Sequence, residues 1–251
     1  MRAMDDDRAR EGRDGERVSR RSVLAGAAVS VGVWTVPQIL TVSAAGAASG
    51  QCPCGVDLVL NGSAEIFVGD PACLDASCIP AVPTGWTTAD GFRATTYGLD
   101  VSGTFYPSAA DLVPAPTVPP GDNLFSGQVG PTPGTGSARQ HIELGPCDGR
   151  AFTLTAYLGG VDEWDDYMVL EATFTDGPNG TGNALGPATV LTGPQAVGRS
   201  NLSELQLFTA SGTVPIGAQS VTLLLTANLV VAVGHPDANL ACADLVTFTL
   251  C

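Results

Sequence analysis

After residue 47 the chain alternates apolar and polar positions with a period of two in one segment after another. Across 138–144, Ala138, Gln140, Ile142 and Leu144 interleave with Arg139, His141 and Glu143. Across 151–158, Phe152, Leu154, Ala156 and Leu158 interleave with Thr153, Thr155 and Tyr157, and across 168–174, Met168, Leu170, Ala172 and Phe174 interleave with Val169, Glu171 and Thr173. Successive side chains of a strand point to opposite faces, so each segment is predicted as a strand with one buried and one wetter face. Gly145-Pro146 and Asp148-Gly149 predict a turn after the first of these strands, and Gly159-Gly160 predicts the end of the second. Further strands are predicted at 56–60, 66–68, 92–97, 188–191, 205–209, 221–231 and 245–250, punctuated by Asp176-Gly177, Asn179-Gly180 and Gly193-Pro194. The Pro-dense stretch 107–120 reads as a long surface loop, because a domain boundary there would leave a first half too poor in strands to fold alone. About nine or ten short strands, without helical periodicity or an internal repeat, predict an all-β chain: a two-sheet antiparallel β-sandwich of the jelly-roll kind.

The first 47 residues have a different pattern. Ser19-Arg20-Arg21-Ser22-Val23-Leu24 resembles the twin-arginine export motif, with Arg20 and Arg21 as its basic pair. An apolar run over 23–42, broken by Pro37, leads to Ala44-Ala45-Gly46-Ala47, small residues suited to a signal peptidase. The competing reading is an uncleaved anchor, since the run approaches the ~20 residues that span a bilayer. Gly, Ser, Thr and Pro within it weaken that reading. The organisation expected is a twin-arginine signal peptide over 1–47, a linker over 48–56 that carries Cys52-Pro53-Cys54, and a β-sandwich over 57–251. No later apolar run has that length, so the mature form is expected to be secreted or at the cell surface and not membrane-embedded.

Charge and cysteines narrow the function. The chain has 251 residues and no Lys; seven of its 11 basic residues and six of its 25 acidic ones precede residue 22. Residues 48–251 hold four Arg against 19 Asp and Glu, a net charge of −15, which repels phosphate backbones and argues against nucleic-acid binding. All seven cysteines lie in this part, Cys52, Cys54, Cys73, Cys78, Cys147, Cys242 and Cys251, and in an oxidising compartment they predict disulfides with one thiol left over. Cys73 and Cys78 flank a short loop and are predicted to bridge, and Cys251 is predicted to reach Cys52 or Cys54 if the terminal strands pair. Cys52 and Cys54 lack the second close pair that a zinc knuckle needs. No Gly-x-Ser-x-Gly elbow or His-Glu-x-x-His helix is present, and His141 and His235 fall on a polar strand face and in a turn. The acidic run Asp162-Glu163-Trp164-Asp165-Asp166 falls between two strands read as hairpin-like, where a solvated tip or calcium loop is favoured over a glycosidase carboxylate pair. The chain is therefore read as a non-enzyme.

Three stretches carry a resemblance to a known family. Asn61-Gly62-Ser63-Ala64-Glu65, with Gly85-Trp86-Thr87 soon after, resembles the opening of galactose-binding-like jelly rolls, the fold of many carbohydrate-binding modules. Gln140-His141-Ile142-Glu143-Leu144 with 152–160 resembles their middle, and 243–250 resembles their last strand. Ser63-Ala64 departs from the Asp-Phe common there, and Leu245 stands where a second polar residue is usual. The resemblance implies a glycan as partner and one structural calcium ion held by Glu65 and Asp244, with backbone carbonyls around 61–63 as further ligands. Aromatic side chains off the core face suit the apolar faces of sugar rings, which makes Trp86, Tyr157 and Trp164 the candidate ligand-binding residues, with a core role for Trp86 as the competing reading. The function expected is an exported, non-catalytic carbohydrate-binding module. The alternative is a structural envelope or extracellular assembly protein that acts through protein contacts and self-association.

Overall fold

A computed structural model describes residues 52–73, 78–101, 104–128, 134–231 and 238–251; Arg20, Arg21, the rest of 1–47 and His235 lie outside the described residues. Strand accounts for about 46% and helix for 5% of the structure. In chain order the strands are β1 (Phe67–Val68), β2 (Val82–Pro83), β3 (Thr87–Ala89), β4 (Arg93–Thr96), β5 (Asp100–Val101), β6 (Thr104–Phe105), β7 (Leu112–Val113) and β8 (Asn123–Ser126). The long strands come next: β9 (Gly136–Glu143), β10 (Ala151–Gly160), β11 (Tyr167–Thr175), β12 (Thr189–Thr192), β13 (Glu204–Thr213), β14 (Ser220–Asn228) and β15 (Cys242–Leu250). One sheet has the order β4-β8-β15-β10-β13-β7 and the other β12-β11-β14-β9-β3, while β1-β2 and β5-β6 are short separate ladders. Pairing in the two large sheets is antiparallel except between β7 and β13. The fold is the two-sheet β-sandwich expected. Among the described residues no helix is long and apolar enough to cross a membrane.

The period-two pattern is met where it was strongest. In β9, β10 and β11 the predicted inward residues, from Ala138 to Phe174, are buried. They close on the inner side of β14 and β15, where Phe152, Phe174 and Phe248 form a ring cluster with centroids 5.2 to 6.2 Å apart. Connectivity differs from the sequence reading. β9 and β11 belong to the five-stranded sheet and β10 to the six-stranded one, so the acidic loop after β10 carries the chain from one sheet to the other instead of closing a hairpin. Two apolar faces on successive strands are buried as well by facing each other across the core as by lying side by side, and alternation cannot tell these apart. Gly159 and Gly160 are the last two residues of β10, which ends there as expected. A Cβ at Gly159 would overlap the Glu204 carbonyl, so glycine there serves the close approach of β13.

Segment 56–60 is not a strand. It makes a single bridge, Asp57 to Thr249, supported by Gly55 N–H to Leu250 O and Leu58 N–H to Phe248 O, and then curls through the left-handed residues Asn61 (φ 54°) and Ala64 (φ 56°). The Asn61 side chain holds that curl, accepting from Ile66 N–H at 2.9 Å and donating to the Ile66 and Thr84 carbonyls. β8 is buried throughout and has no alternation to reveal it. The Pro-dense stretch contains a turn of 3-10 helix and β7.

Three disulfides close the sandwich: Cys52–Cys147, Cys54–Cys251 and Cys73–Cys78. Cys242 is the leftover thiol and is buried. Cys54–Cys251 ties residues 197 apart, against 5 for Cys73–Cys78, and the entropy removed from the unfolded chain grows with the loop closed. Replacing Cys54 and Cys251 by Ser is expected to cost about 2–5 kcal/mol of stability. The same change at Cys73 and Cys78 is expected to cost less, an order that urea unfolding of the two variants will check.

Candidate functional site

The six-stranded sheet has a second face, turned away from the ring cluster. Register places Thr153, Thr155 and Tyr157 of β10 on it, beside Thr249, Thr247 and Asp244 of β15 and Ser211, Thr209 and Leu207 of β13. The ladder slips between Thr155 and Tyr157: two residues of β15, Leu245 and Val246, stand where β10 has only Ala156. This is a β-bulge, with Leu245 in the left-handed region at φ 47°, and a bulge re-aims side chains at its site. The 61–64 curl docks into it. Val246 N–H donates to Gly62 O at 2.9 Å, and a Cβ at Gly62 would overlap the Val246 carbonyl.

Bulge, curl and residues 116–118 of the Pro-dense stretch together line an open cavity of about 490 Å³. Its apolar wall is Pro116, Val118, Leu207 and Leu245, and its polar groups include Asp57, Ser63, Thr117 and the Thr155–Thr247 pair, whose hydroxyls are 2.5 Å apart. Tyr157 forms part of the floor; it is only 5% exposed, and its hydroxyl donates to Pro114 O at 2.7 Å. Asp57 Oδ1 accepts from Val59 N–H at 3.1 Å and Phe248 N–H at 2.9 Å. The protein packed around this carboxyl raises its pKa against the opposing pull of the Phe248, Val59 and Leu58 amides.

Of the three aromatic residues expected at a ligand site, Tyr157 alone lines this cavity. Trp86 is buried in the main core, edge-on to Phe125 at 5.2 Å, with its indole N–H donating to Leu60 O at 3.1 Å. It seals the sandwich instead of facing solvent, the competing reading of that residue. Gln140 secures the same carbonyl, donating to Leu60 O at 2.9 Å and accepting from Leu60 N–H at 2.8 Å. Trp164 is half-buried against the smaller apolar cluster built on Tyr106, Leu124 and Leu205.

The acidic loop around Trp164 is held from within. The Arg199 guanidinium is 1% exposed and donates to the carbonyls of Pro194, Val161, Asp162, Trp164 and Leu202. Burial lowers its pKa, opposed by nearby Cys242, Asp165, Asp166 and Glu204. The loop carboxyls serve the same end. Asp162 accepts from Ser203 Oγ, Asp165 from Ala196 N–H, and the fully buried Asp166 from Val230 and Leu240 N–H. These carboxylates are committed to backbone and hydroxyl donors, not paired across an open cleft.

Glu65 and Asp244, the expected calcium ligands, share one electrostatic neighbourhood with Tyr97. Asp244 is fully buried; its Oδ1 accepts from Leu245 N–H at 2.7 Å and its Oδ2 from the Tyr97 hydroxyl at 2.5 Å. Glu65 Oε1 accepts from the Asp122 and Asn123 amides, and Oε2 from Asn123 Nδ2. All four oxygens thus accept hydrogen bonds, and so do the carbonyls of Asn61 and Gly62. Among the described residues there is no group of three or more His, Cys, Asp and Glu side chains that could hold a metal ion.

No family model matches the chain, and no curated protein matches it. Solved structures do. The enzymatically active domain of tailspike protein 4 from bacteriophage CBA120 aligns over 78% of this chain and 22% of its own length, at 17% identity and a TM-score of 0.46. A family 16 carbohydrate-binding module aligns over 76% of this chain and 99% of its own length, at 13% identity and a TM-score of 0.42. The CBM22-1–GH10 modules of Clostridium thermocellum xylanase 10B, complexed with xylohexaose, align over 66% of this chain and 26% of their own, at 14% identity and a TM-score of 0.38. These likenesses concern the fold alone. Against the first and third, the chain spans only about a quarter of the other protein's length.

Sequence reasoning missed Asp57, Leu207 and the bulge. One signal for the bulge was present. Ala241 and Ala243 keep one parity and Val246, Phe248 and Leu250 the other, so the buried face changes register between them.

The buried carboxyl supplies a pH test. Burial lifts Asp244 well above its ordinary value of 3.8, outweighing the opposite pull of Tyr97 and the Leu245 amide. An acid that holds its proton more tightly in the folded chain favours the native state most below its unfolded pKa, and the advantage is lost as pH rises through the folded one. In chelator, stability should therefore fall from about pH 4 upward in the wild type. Asp244→Asn should flatten that slope, as chemical denaturation across the range will read.

Proposed function

We propose that the chain is an exported, non-catalytic module that binds a glycan in the cavity beneath residues 116–118. The cavity carries this reading. At about 490 Å³ it falls within the range of small-molecule sites, and it combines apolar walls with a few fixed polar groups. Leu207, Leu245, Val118 and Pro116 offer the apolar surface that sugar C–H faces require, and Ser63, Thr117, Thr155 and Thr247 offer hydroxyl partners. Three disulfides suit an extracellular setting, and the twin-arginine motif at Arg20 and Arg21 supplies the route. Leu207 is 41% exposed, so Leu207→Arg should fold normally while filling the cavity. Glycan-array binding by the purified protein is expected, together with its loss by at least tenfold in Leu207→Arg at an unchanged melting temperature. Undiminished binding by that variant would move the site elsewhere.

A structural calcium ion at Glu65 and Asp244 belongs to the same proposal. The observation that favours it is Asp244, fully buried with the Glu65 charge nearby raising its pKa further, a burden that a divalent cation relieves. Binding to the folded state alone raises the melting temperature as ligand is added. Calcium should raise it in the wild type and leave it unmoved in Glu65→Ala; a wild type indifferent to both calcium and chelator rejects the ion.

A further inference from the structure

The cavity has one charged group on its wall, and the sign of that group narrows the ligand. Asp57 is the only charged residue among those lining it. Among the described residues no cation stands by to neutralise this carboxyl. The chain has no Lys, and only four Arg lie beyond residue 47. Arg93 and Arg199 are buried and donate to carbonyls elsewhere, Arg93 to Cys73 O and Arg199 to its loop. Arg139 lies on β9, in the other sheet. Arg150 precedes β10, three residues before Thr153, which pairs with the Thr249 that Asp57 is bridged to, and so lies about 10 Å along the strand and two strand spacings across from Asp57. Residues 48–251 as a whole add to the asymmetry, with a net charge of −15.

The carboxyl is also fixed. Its Oδ1 is anchored to the amides of Val59 and Phe248, and its backbone is bridged to Thr249 at the end of β15. A rigid carboxylate at the edge of an apolar cavity, in a field of its own sign, repels uronates and sulfated or phosphorylated sugars and attracts a cation. We infer that the ligand is a glycan bearing free amino groups, a hexosamine-containing oligosaccharide whose ammonium donates to Asp57 Oδ2 while its ring faces pack on Leu207 and Leu245. The inference rests on the glycan reading of the cavity and adds the charge of the ligand to it.

Isothermal titration of the purified protein with a glucosamine trisaccharide, its fully N-acetylated counterpart and a trigalacturonate tests this. The amine-bearing trisaccharide should bind at least tenfold tighter than the acetylated one, with an advantage that shrinks as salt rises, and trigalacturonate should not bind. Asp57→Asn keeps an acceptor for the Val59 and Phe248 amides. In that variant the amine-bearing and acetylated trisaccharides should bind within twofold of each other. Equal affinities in the wild type, or a preference that survives in Asp57→Asn, would overturn the inference while leaving the glycan reading standing. Failure of every saccharide, here and on the array, would remove the glycan reading and this inference with it.

Discussion

Burial of the Phe152, Phe174 and Phe248 rings between the two sheets is the interaction on which the remaining features depend. The three rings come from β10, β11 and β15, and their 5.2 to 6.2 Å contacts can form only if β10 and β15 turn the same face inward. That requirement fixes the pairing Phe152 to Leu250 and Leu154 to Phe248 at one end of the ladder. At the other end Ala156 and Leu158 must also face inward, and β15 meets that demand with Ala243. The parity of β15 cannot satisfy both ends without an extra residue, and Leu245 is where the chain absorbs it, at positive φ.

The bulge then determines the outer face. It pushes Leu245 outward, exposes the Val246 amide to the Gly62 carbonyl, and docks the 61–64 curl against the sheet. Trp86 and Gln140 hold the other end of the curl by the Leu60 carbonyl. The cavity is therefore a consequence of core packing: a register adjustment demanded by buried rings emerges on the far side of the sheet as a concave, partly apolar surface. Asp57 is fixed in the same way, since its anchor at Phe248 N–H belongs to the strand that carries one of the three rings.

Polar burial supports the rest of that face. Arg199 gathers carbonyls of the 161–166 loop and its neighbours around one guanidinium, and Asp166 holds the amides of Val230 and Leu240. Removing one partner from such a network strands the others without water, which is why buried sets of this kind are found satisfied. Asp244 is held in the same manner, with a tyrosine hydroxyl and one amide as its hydrogen-bond donors.

Strand content, the inward faces of β9, β10 and β11 and the Cys73–Cys78 bridge were legible in the residues alone, because period-two burial and short loops are local properties. Cys251 was narrowed to two partners, and the structure chose Cys54. Everything left open needed partners distant in the chain. Alternation marks a buried face but not the sheet to which it belongs, so β10 and β11 looked like neighbours until their faces met across the core. Trp86 and Tyr157 read as outward aromatics, yet one is capped by Phe125 and the other is roofed by the Pro-dense stretch, both contributed from elsewhere in the chain. Asp57 and Leu207 stand 150 residues apart and carry no signal of their own. They line one cavity only because β15 lies between the segment that begins the domain and β10, and a bulge opens the surface where they converge.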